Sequence, residues 1–243
     1  MRKDVFEQMI SKSKVKYIIF EKVLFQKMEE YFEVEKLLEE NGIKAWVNCA
    51  RREQDSYREL KKIVDKSKYF TFQMSGGGWG LGCNGIHMLD LVQFLSASQE
   101  CKIDRLNLLP VVEESKRRGY KEIYGTVYGS CGKCLSFSIT CFHNSTSPSR
   151  VELSGDNFYA SIEEGVHKLS FMCEDEGWKT DTQVFPLYYQ SQQTQKVMES
   201  IINTGDCNLP KYKESMQLHL TYIEPLIKFF EEQGLERGLC PIT

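Results

Sequence analysis

Residues 68–90 read KYFTFQMSGGGWGLGCNGIHMLD, and this segment decides the fold class. Phe70, Phe72 and Met74 alternate with polar residues, which is the period of a strand with one face in the core and one face in solvent. Glycines follow the strand, and an apolar pattern after them predicts a helix over about 86–97. A half-exposed strand of this kind is typical of an antiparallel sheet.

The sequence after this segment predicts more strands than helices. Apolar and polar residues alternate in several short runs, and glycine or proline turn signals separate them. The predicted strands are 101–109, 122–128, 133–142, 150–153, 157–162 and 167–172. Helical periodicity returns at about 191–203 and 211–233. We therefore predict an α+β fold, in which a large, mostly antiparallel, open-faced sheet of five to seven strands is backed by helices.

The first forty residues have a different pattern. A short amphipathic helix over about 2–12 precedes Tyr17–Phe20, a fully apolar run that is typical of a parallel strand buried on both faces. A second helix, over about 25–40, ends at Asn41-Gly42. This looks like the last helix–strand step of a doubly wound domain whose earlier strands are absent. We expect residues 1–42 to be this αβ remnant and 43–243 to form the antiparallel-sheet domain.

Composition excludes several classes of protein. The 243 residues carry a net charge of −3, so no strong positive field favours nucleic acid or anionic lipid. No apolar run approaches the roughly 20 residues of a membrane span. The nine cysteines are scattered, and no export signal precedes them, so we expect reduced thiols in a cytoplasmic protein.

Residues 80–85, GLGCNG, match the GxGxxG pattern of dinucleotide-binding loops. The strand before it alternates polar and apolar residues, whereas the first strand of a dinucleotide-binding unit is buried on both faces. Four residues also separate the strand from the motif, and Asp104, at the spacing of a ribose-binding acid, lies among charged neighbours. We therefore interpret the glycines as structural.

Two separated segments carry a stronger chemical signal. Lys22 follows the buried strand at its carboxyl end, where ligands bind in open α/β sheets. Asn84 and His87 are three residues apart at the start of a helix that also carries Asp90, so they share a helix face. We expect these side chains to face one ligand.

These residues resemble the Gfo/Idh/MocA oxidoreductases, which are NAD(P)-dependent sugar and inositol dehydrogenases. In that family the nucleotide-binding domain ends in Glu-Lys-Pro, and the sheet domain carries Asp-x-Gly-x-His-x-x-Asp after a glycine-rich segment. The matching stretches here are Phe20-Glu21-Lys22-Val23 and residues 83–90, CNGIHMLD. The similarity extends through residues 46–52 and covers the second half of a typical member. Val23 replaces the proline, and Cys83 replaces the first acid.

The resemblance implies a mechanism and a set of partners. A sugar or sugar-nucleotide hydroxyl carbon gives hydride to NAD or NADP, His87 removes the hydroxyl proton, and Lys22 polarises the oxygen. It implies that Asn84 and Arg51 bind substrate and that Glu21 and Lys22 contact the cofactor. It also implies a homodimer or higher oligomer formed through the open sheet face. Because the nucleotide-binding strands and their glycine loop are not seen, the resemblance implies that this chain alone lacks the cofactor-binding half of a typical member.

Other interpretations stay open at this point. His87 can be a core or capping histidine, Lys22 a surface lysine, and Arg51-Arg52 an exposed pair at a helix start. The remaining histidines (His143, His167 and His219) lack motif neighbours and are expected to be structural or solvated. Cys131 and Cys134 form a CxxC that could bind zinc, act as a redox pair or form a hairpin turn, of which the turn is favoured. A non-catalytic dimerisation or interaction module derived from such a dehydrogenase is the alternative function.

Overall fold

Two sheets of unequal size organise the chain in the computed structural model, which describes residues 2–243. The helices of this range are α1 Arg2–Lys12, α2 Met28–Glu40, α3 Asp55–Lys66, α4 Leu81–Ser96, α5 Gln190–Thr204 and α6 Tyr212–Glu232. The strands are β1 Tyr17–Phe20, β2 Lys44–Val47, β3 Phe70–Gly77, β4 Cys101–Glu114, β5 Lys121–Cys131, β6 Cys134–Phe142, β7 Arg150–Gly155, β8 Phe158–Glu163, β9 Lys168–Cys173 and β10 Asp181–Val184. None of these helices is both long and apolar enough to cross a bilayer.

The small sheet pairs β1 with β2 in parallel. Phe20 and Val47 pack into the main core, whereas Ile19 and Trp46 pack into a second cluster with residues of α5. Alternate side chains therefore enter apolar clusters on opposite faces. This agrees with the interpretation of Tyr17–Phe20 as a strand covered on both sides.

Strand β2 is the parallel neighbour of β1. Sequence analysis placed β1 in a remnant whose earlier strands are absent and assigned residues from 43 onward to the antiparallel-sheet domain. Instead, β2 pairs with β1, and Asn48 extends the contact by donating its backbone N–H to the carbonyl of Phe20 at 2.8 Å. The backbone of β2 satisfies the N–H and C=O groups on one edge of β1. The division at residue 42 into a nucleotide-binding remnant and a substrate domain stays a prediction.

The large sheet confirms the predicted fold class. Its strand order is β10-β9-β8-β7-β3-β6-β5-β4, and every neighbouring pair is antiparallel except β3 with β6. In β3, Phe70, Phe72 and Met74 are buried while Thr71 and Gln73 are exposed, as the alternation predicted. The sheet has eight strands rather than five to seven. The missed strand, β10, is exposed along its whole length and has no burial pattern to detect.

Helix α4 is the buried centre of the molecule. It packs against β5, β6, α3 and α6, and most of its residues are inaccessible to solvent. Gly85 explains the close approach of α6, because a Cβ atom there would lie 2.3 Å from the hydroxyl oxygen of Tyr222. This places the second half of the glycine motif inside a packed helix and agrees with its structural interpretation.

The cysteines differ from the expectation of nine reduced thiols. Cys101 and Cys131 face each other across β4 and β5 and are joined as a disulfide. The other seven cysteines are free. Cys131 and Cys134 flank the tight turn between β5 and β6, where Gly132 adopts a positive φ of 52°. The CxxC is therefore a hairpin turn, as favoured, but only Cys134 keeps a thiol. Within residues 2–243 no group of three or more potential ligands could hold a metal ion.

Candidate functional site

Lys22 lies just beyond the carboxyl end of β1 and contacts the first turn of α4. Its ammonium group donates hydrogen bonds to the backbone carbonyl of Cys83 at 2.7 Å and to Oδ1 of Asn84 at 3.1 Å, and it lies 3.3 Å from the Cys83 sulfur. An ammonium group has three donors, and three acceptors on α4 surround this one. The structure therefore brings together Lys22 and Asn84, which are 62 residues apart in sequence.

The backbone around Lys22 is held from both sides. The guanidinium of Arg2 donates to the carbonyl of Lys22 at 3.1 Å and to that of Leu24 at 3.3 Å. Val23 and Leu24 are both 1% exposed, so the chain is anchored in the core immediately after the lysine. The peptide between Lys22 and Val23 is cis. These contacts fix the point from which the Lys22 side chain reaches α4.

His87 follows Asn84 by one turn of α4, and its ring is half-buried. Its Nδ1 atom is buried and has no hydrogen-bond partner among the described residues. Burial lowers the pKa of His87 well below 6.5, and the positive charges of Arg51 and Lys22 lower it further. The imidazole is therefore neutral at pH 7, which is the state a general base requires. The charge of Lys22 is close enough to affect the pKa of His87, although the two side chains form no hydrogen bond.

Arg51 is held by an acidic partner. Its Nε donates to Oε1 of Glu164 at 3.1 Å, and its Nη2 donates to Oε2 at 2.8 Å. The hydroxyl of Tyr57 donates to the same carboxylate at 2.5 Å. This two-point ion pair uses the guanidinium fork that was predicted to bind substrate. Arg51 still acts on the site through its charge, which lowers the pKa of His87.

Arg52 corrects the interpretation of Arg51-Arg52 as an exposed pair. Arg52 is 7% exposed and forms ion pairs with Asp90, at 2.8 Å, and with Glu214 of α6, at 2.7 Å. Asp90 is fully buried, and burial raises its pKa to about 6 despite the nearby guanidinium. The two arginines therefore tie the short 3-10 helix Ala50–Glu53 to its surroundings, and Arg52 links it to α4 and α6.

Glu21 makes contacts different from those of Lys22. Its side chain is exposed and accepts hydrogen bonds from Nδ2 of Asn48 at 2.7 Å and from Nε2 of Gln190 at 2.9 Å. It therefore faces the loop after β2 and the start of α5, whereas Lys22 contacts α4. Its predicted role in cofactor binding stays a prediction.

Glu122 occupies the N-terminus of α4, where the glycine motif would otherwise offer backbone donors to a phosphate. Its carboxylate accepts from the backbone N–H of Gly82 and, at 3.4 Å, from that of Cys83. Burial raises the pKa of Glu122, while hydrogen bonds from Ile123, Gly82 and Cys83 oppose that shift. The carboxylate supplies the negative charge that a helix N-terminus favours. Sequence analysis missed Glu122 because it comes from β5, 40 residues from Gly82.

A cavity of about 310 Å³ opens beside this cluster. Cys83, Asn84 and Glu122 line one part of it, and Lys116 and Arg117 of the β4–β5 loop line another. Nδ2 of Asn84 donates to the carbonyl of Trp79 at 2.6 Å, which fixes the amide with its oxygen toward Lys22. The cavity therefore combines two cations, the carboxylates of Glu114 and Glu122 and an oriented amide, which suits a ligand with several hydroxyl groups.

His219 of α6 is a second histidine that sequence analysis left outside the site. It is fully buried, its Nδ1 donates to the carbonyl of Ser215 at 2.7 Å, and its Nε2 has no partner in the described part of the chain. Burial lowers its pKa to about 3, and the charge of Lys22 contributes to that shift. No local motif marks it, because its relation to His87 depends on the packing of α6 against α4.

Of the comparisons with known proteins, only the one with solved structures finds similar proteins. No protein-family model matches the sequence, and no curated protein matches it. Among solved structures, UDP-N-acetylglucosamine 3-dehydrogenase GnnA from Acidithiobacillus ferrooxidans is similar, with a TM-score of 0.68, 10% identity, and coverage of 92% of this chain and 73% of that one. The chain has the fold of the Gfo/Idh/MocA-type oxidoreductases.

Two further structures with this fold have different descriptions. The K102E mutant of KijD10, a 3-ketoreductase from Actinomadura kijaniata in complex with TDP-benzene and NADP, has a TM-score of 0.67 at 11% identity and covers 92% of this chain and 72% of that one. The transcriptional regulator Gal80p from Kluyveromyces lactis has a TM-score of 0.66 at 15% identity and covers 96% and 69%. At these identities the comparison shows the fold alone, and the fold is shared by enzymes and a regulator.

Proposed function

We propose that this protein is a nicotinamide-dependent oxidoreductase that acts on a hydroxyl group of a sugar or sugar nucleotide. The observation that carries the proposal is the contact between Lys22 and Asn84, with a neutral His87 one helical turn further on. A cation, an oriented amide and an unprotonated imidazole at the carboxyl end of a parallel strand are the groups that hydroxyl oxidation requires.

Lys22 and His87 have separate roles in this proposal. The ammonium of Lys22 stabilises the negative charge that develops on the substrate oxygen, which would displace one of the present acceptors of Lys22 on α4. His87 takes the hydroxyl proton as general base. Its Nδ1 atom is buried and has no hydrogen-bond partner among the described residues, so no contact in that range fixes the tautomer of the ring.

The proposed cofactor contacts lie at the end of β1 and not at the glycine motif. A nicotinamide dinucleotide would supply the hydride acceptor, and Glu21 and Lys22 at the end of β1 are the residues proposed to contact it. The glycine motif does not fit the pyrophosphate, because the carboxylate of Glu122 already holds the N–H groups at the start of α4. The proposed cofactor is NAD or NADP.

The remaining parts of the proposal concern substrate, assembly and location. Asn84 is proposed to bind a substrate hydroxyl, and Arg117 lines the cavity where a sugar nucleotide would need a cation for its phosphates. The exposed polar face of the large sheet, with Thr71 and Gln73, is the proposed surface of a homodimer or higher oligomer. Seven of the nine cysteines are free, which supports the cytoplasm as the proposed compartment, whereas the Cys101–Cys131 disulfide is of a kind that is rare there.

A non-catalytic interaction module is the second candidate function. Arg51 is paired with Glu164 instead of facing a ligand, and Cys83 stands where the family has an acid. Both observations are expected if the fold has been kept for contacts with other proteins. The similarity to a transcriptional regulator shows that this fold also occurs outside enzymes.

Titration of the full chain with NADH and NADPH separates the two candidates. We expect nicotinamide fluorescence to change on binding for the native protein and to change much less for Lys22→Met. Lys27→Met is the matched control, since Lys27 is an exposed lysine in the same segment. Absence of nucleotide binding would reject the oxidoreductase and favour the module, and equal binding by Lys22→Met would remove Lys22 from the cofactor contact.

A further inference from the structure

Three cysteines lie side by side across one end of the large sheet. Cys101 of β4 is directly opposite Cys131 of β5, and Cys131 is directly opposite Cys134 of β6. Residues directly opposite each other in neighbouring strands have their side chains on the same face of the sheet. In agreement with this, Cys131 and Cys134 are buried in the main core, and Cys101 packs against it. We name these three residues the cysteine row.

The middle cysteine is within reach of both neighbours. Directly opposite residues of antiparallel strands have Cα atoms about 4.5 to 5.5 Å apart, and a disulfide spans about 4.4 to 6.8 Å. Cys131 is bonded to Cys101, and Cys134 is a free thiol. The row therefore holds one disulfide and offers two places where it can form.

The two outer cysteines differ in how firmly their strands are held. In the described residues β4 is the last strand of the sheet and pairs with β5, whereas β6 pairs with both β5 and β3. The turn before Cys134 is also anchored. Nζ of Lys133 donates to the carbonyl of Val64 at 2.7 Å, and the carbonyl of Lys133 accepts from the backbone N–H of Phe70 at 3.0 Å. A disulfide to Cys101 therefore fastens an edge strand, whereas a disulfide to Cys134 would join two interior strands.

We propose that the cysteine row is a thiol–disulfide exchange site, at which Cys131 bonds either to Cys101 or to Cys134. In the exchange the Cys134 thiol loses its proton, and its sulfur bonds to the sulfur of Cys131. The Cys101–Cys131 bond breaks, its electron pair stays on the sulfur of Cys101, and that sulfur takes up the proton. One thiol and one disulfide are consumed and one of each is formed, so the step needs no oxidant or reductant.

The exchange changes the state of the edge strand. When the bond is at Cys134, Cys101 is a partly exposed thiol, and the start of β4 is held by its ladder with β5 alone. Disulfides in the cytoplasm are usually transient and either catalytic or redox-sensing, which agrees with one disulfide beside seven free cysteines. Burial raises the pKa of Cys134 to about 12, so its thiolate is scarce at pH 7 and exchange should be slow there. This inference does not require the oxidoreductase proposal.

Tryptic mapping of the native chain follows the bond directly. Cleavage after lysine and arginine places Cys101 in peptide 69–102, Cys131 in 122–133 and Cys134 in 134–150. The full chain is incubated at pH 7 or pH 9, acidified, alkylated and digested without reduction. We expect 122–133 linked to 69–102 and, increasingly with time and faster at pH 9, linked to 134–150. Absence of the second linked pair at both pH values would overturn the proposal.

Variants identify the sulfur atoms. Cys134→Ser should give only the pair that contains Cys101, whereas Cys141→Ser, a buried cysteine on the same strand, should give both pairs like the native chain. In Cys101→Ser, glutathione disulfide should oxidise Cys131 and Cys134 to a disulfide and be reduced to two glutathione thiols. Fragmentation of the linked peptides shows which cysteine is bonded. A bond to Cys141, or glutathione held on Cys131 or Cys134 in place of their mutual bond, would overturn the proposal.

Discussion

The carboxylate of Glu122 accepts the backbone N–H of Gly82 in the first turn of α4, so a side chain from the large sheet caps the helix that carries Asn84 and His87. The contact joins α4 to the large sheet at the same helical turn that Lys22 contacts. It also explains why the GxGxxG sequence at residues 80–85 does not form a phosphate-binding site. The carboxylate of Glu122 already occupies the helix N-terminus where a phosphate would bind.

Replacing Glu122 by glutamine should destabilise the protein. The substitution keeps one acceptor for Gly82 but removes the negative charge at the helix N-terminus, for which we expect a loss of about 1 kcal/mol. Urea unfolding followed by circular dichroism measures it. Glu114→Gln, an exposed carboxylate on the neighbouring strand, should change the free energy of unfolding by less. Equal stability of Glu122→Gln and the native chain would show that the capping charge contributes little.

His87→Gln should lower turnover without unfolding the chain. A general base contributes about 10²–10⁴ to the rate, so kcat for a sugar substrate should fall by that factor while KM changes little. The absorbance of the reduced nicotinamide gives the rate, and circular dichroism checks folding. His143→Gln, on an exposed loop outside the site, is the matched control. A rate unchanged in His87→Gln would exclude the role as base.

Cys83→Asp should increase the activity of the proposed enzyme. The Cys83 sulfur lies 3.3 Å from the Lys22 ammonium and is a weak acceptor, whereas an aspartate would form a charge-assisted hydrogen bond there. Such a bond would fix the lysine for its role and should raise kcat/KM by about tenfold. Cys83→Ser, which adds no charge, should give no comparable gain. A lower rate in Cys83→Asp than in Cys83→Ser would argue against Lys22 as the polarising group.

His219 should make the protein less stable as the pH falls from 7 to 5. Its pKa is about 3 in the folded state and about 6.5 in the unfolded chain, so the unfolded state binds more protons between these values. The free energy of unfolding therefore decreases as the pH is lowered, and this residue accounts for a decrease of about 2 kcal/mol from pH 7 to pH 5.

The difference between the native chain and His219→Gln isolates this effect. Asp90 has its pKa raised to about 6, so it acts in the opposite direction over part of the same range, but it is present in both proteins. We expect the stability advantage of the native chain to shrink by about 2 kcal/mol on acidification from pH 7 to 5. Urea unfolding at each pH measures the free energy of unfolding. A difference between the two proteins that stays constant from pH 7 to pH 5 would contradict the prediction.

The sequence was informative where a residue's environment follows from its neighbours in the chain. The alternation of Phe70 and Phe72 predicted one buried face of β3, and the apolar run of β1 predicted two. Helix α2 shows the limit, since its Phe32 is 53% exposed, while Tyr31, Val34 and Leu38 form the buried face. Periodicity identifies a helix more reliably than the direction in which it packs.

The site depended on contacts that local patterns do not encode. Lys22 and Asn84 were predicted to meet because each follows a recognisable element. The partners of Arg51 and Gly82 could not be predicted, because Glu164 and Glu122 come from strands or turns 113 and 40 residues away. Their pairing follows from how the 3-10 helix Ala50–Glu53 and α4 pack against elements of the large sheet, which only the folded structure reveals.

The pair of Arg51 and Glu164 tests whether that arginine is structural. Their side chains are 25% and 18% exposed, and removal of either leaves a largely buried charge without its partner. We expect Arg51→Met and Glu164→Met each to lower the free energy of unfolding by about 2 kcal/mol, with the double variant losing at least about 1 kcal/mol less than the sum. Urea unfolding of the four proteins gives this coupling. If Arg51 binds substrate instead, Arg51→Met should leave stability unchanged and raise KM, because the guanidinium would then act on the ligand rather than on Glu164.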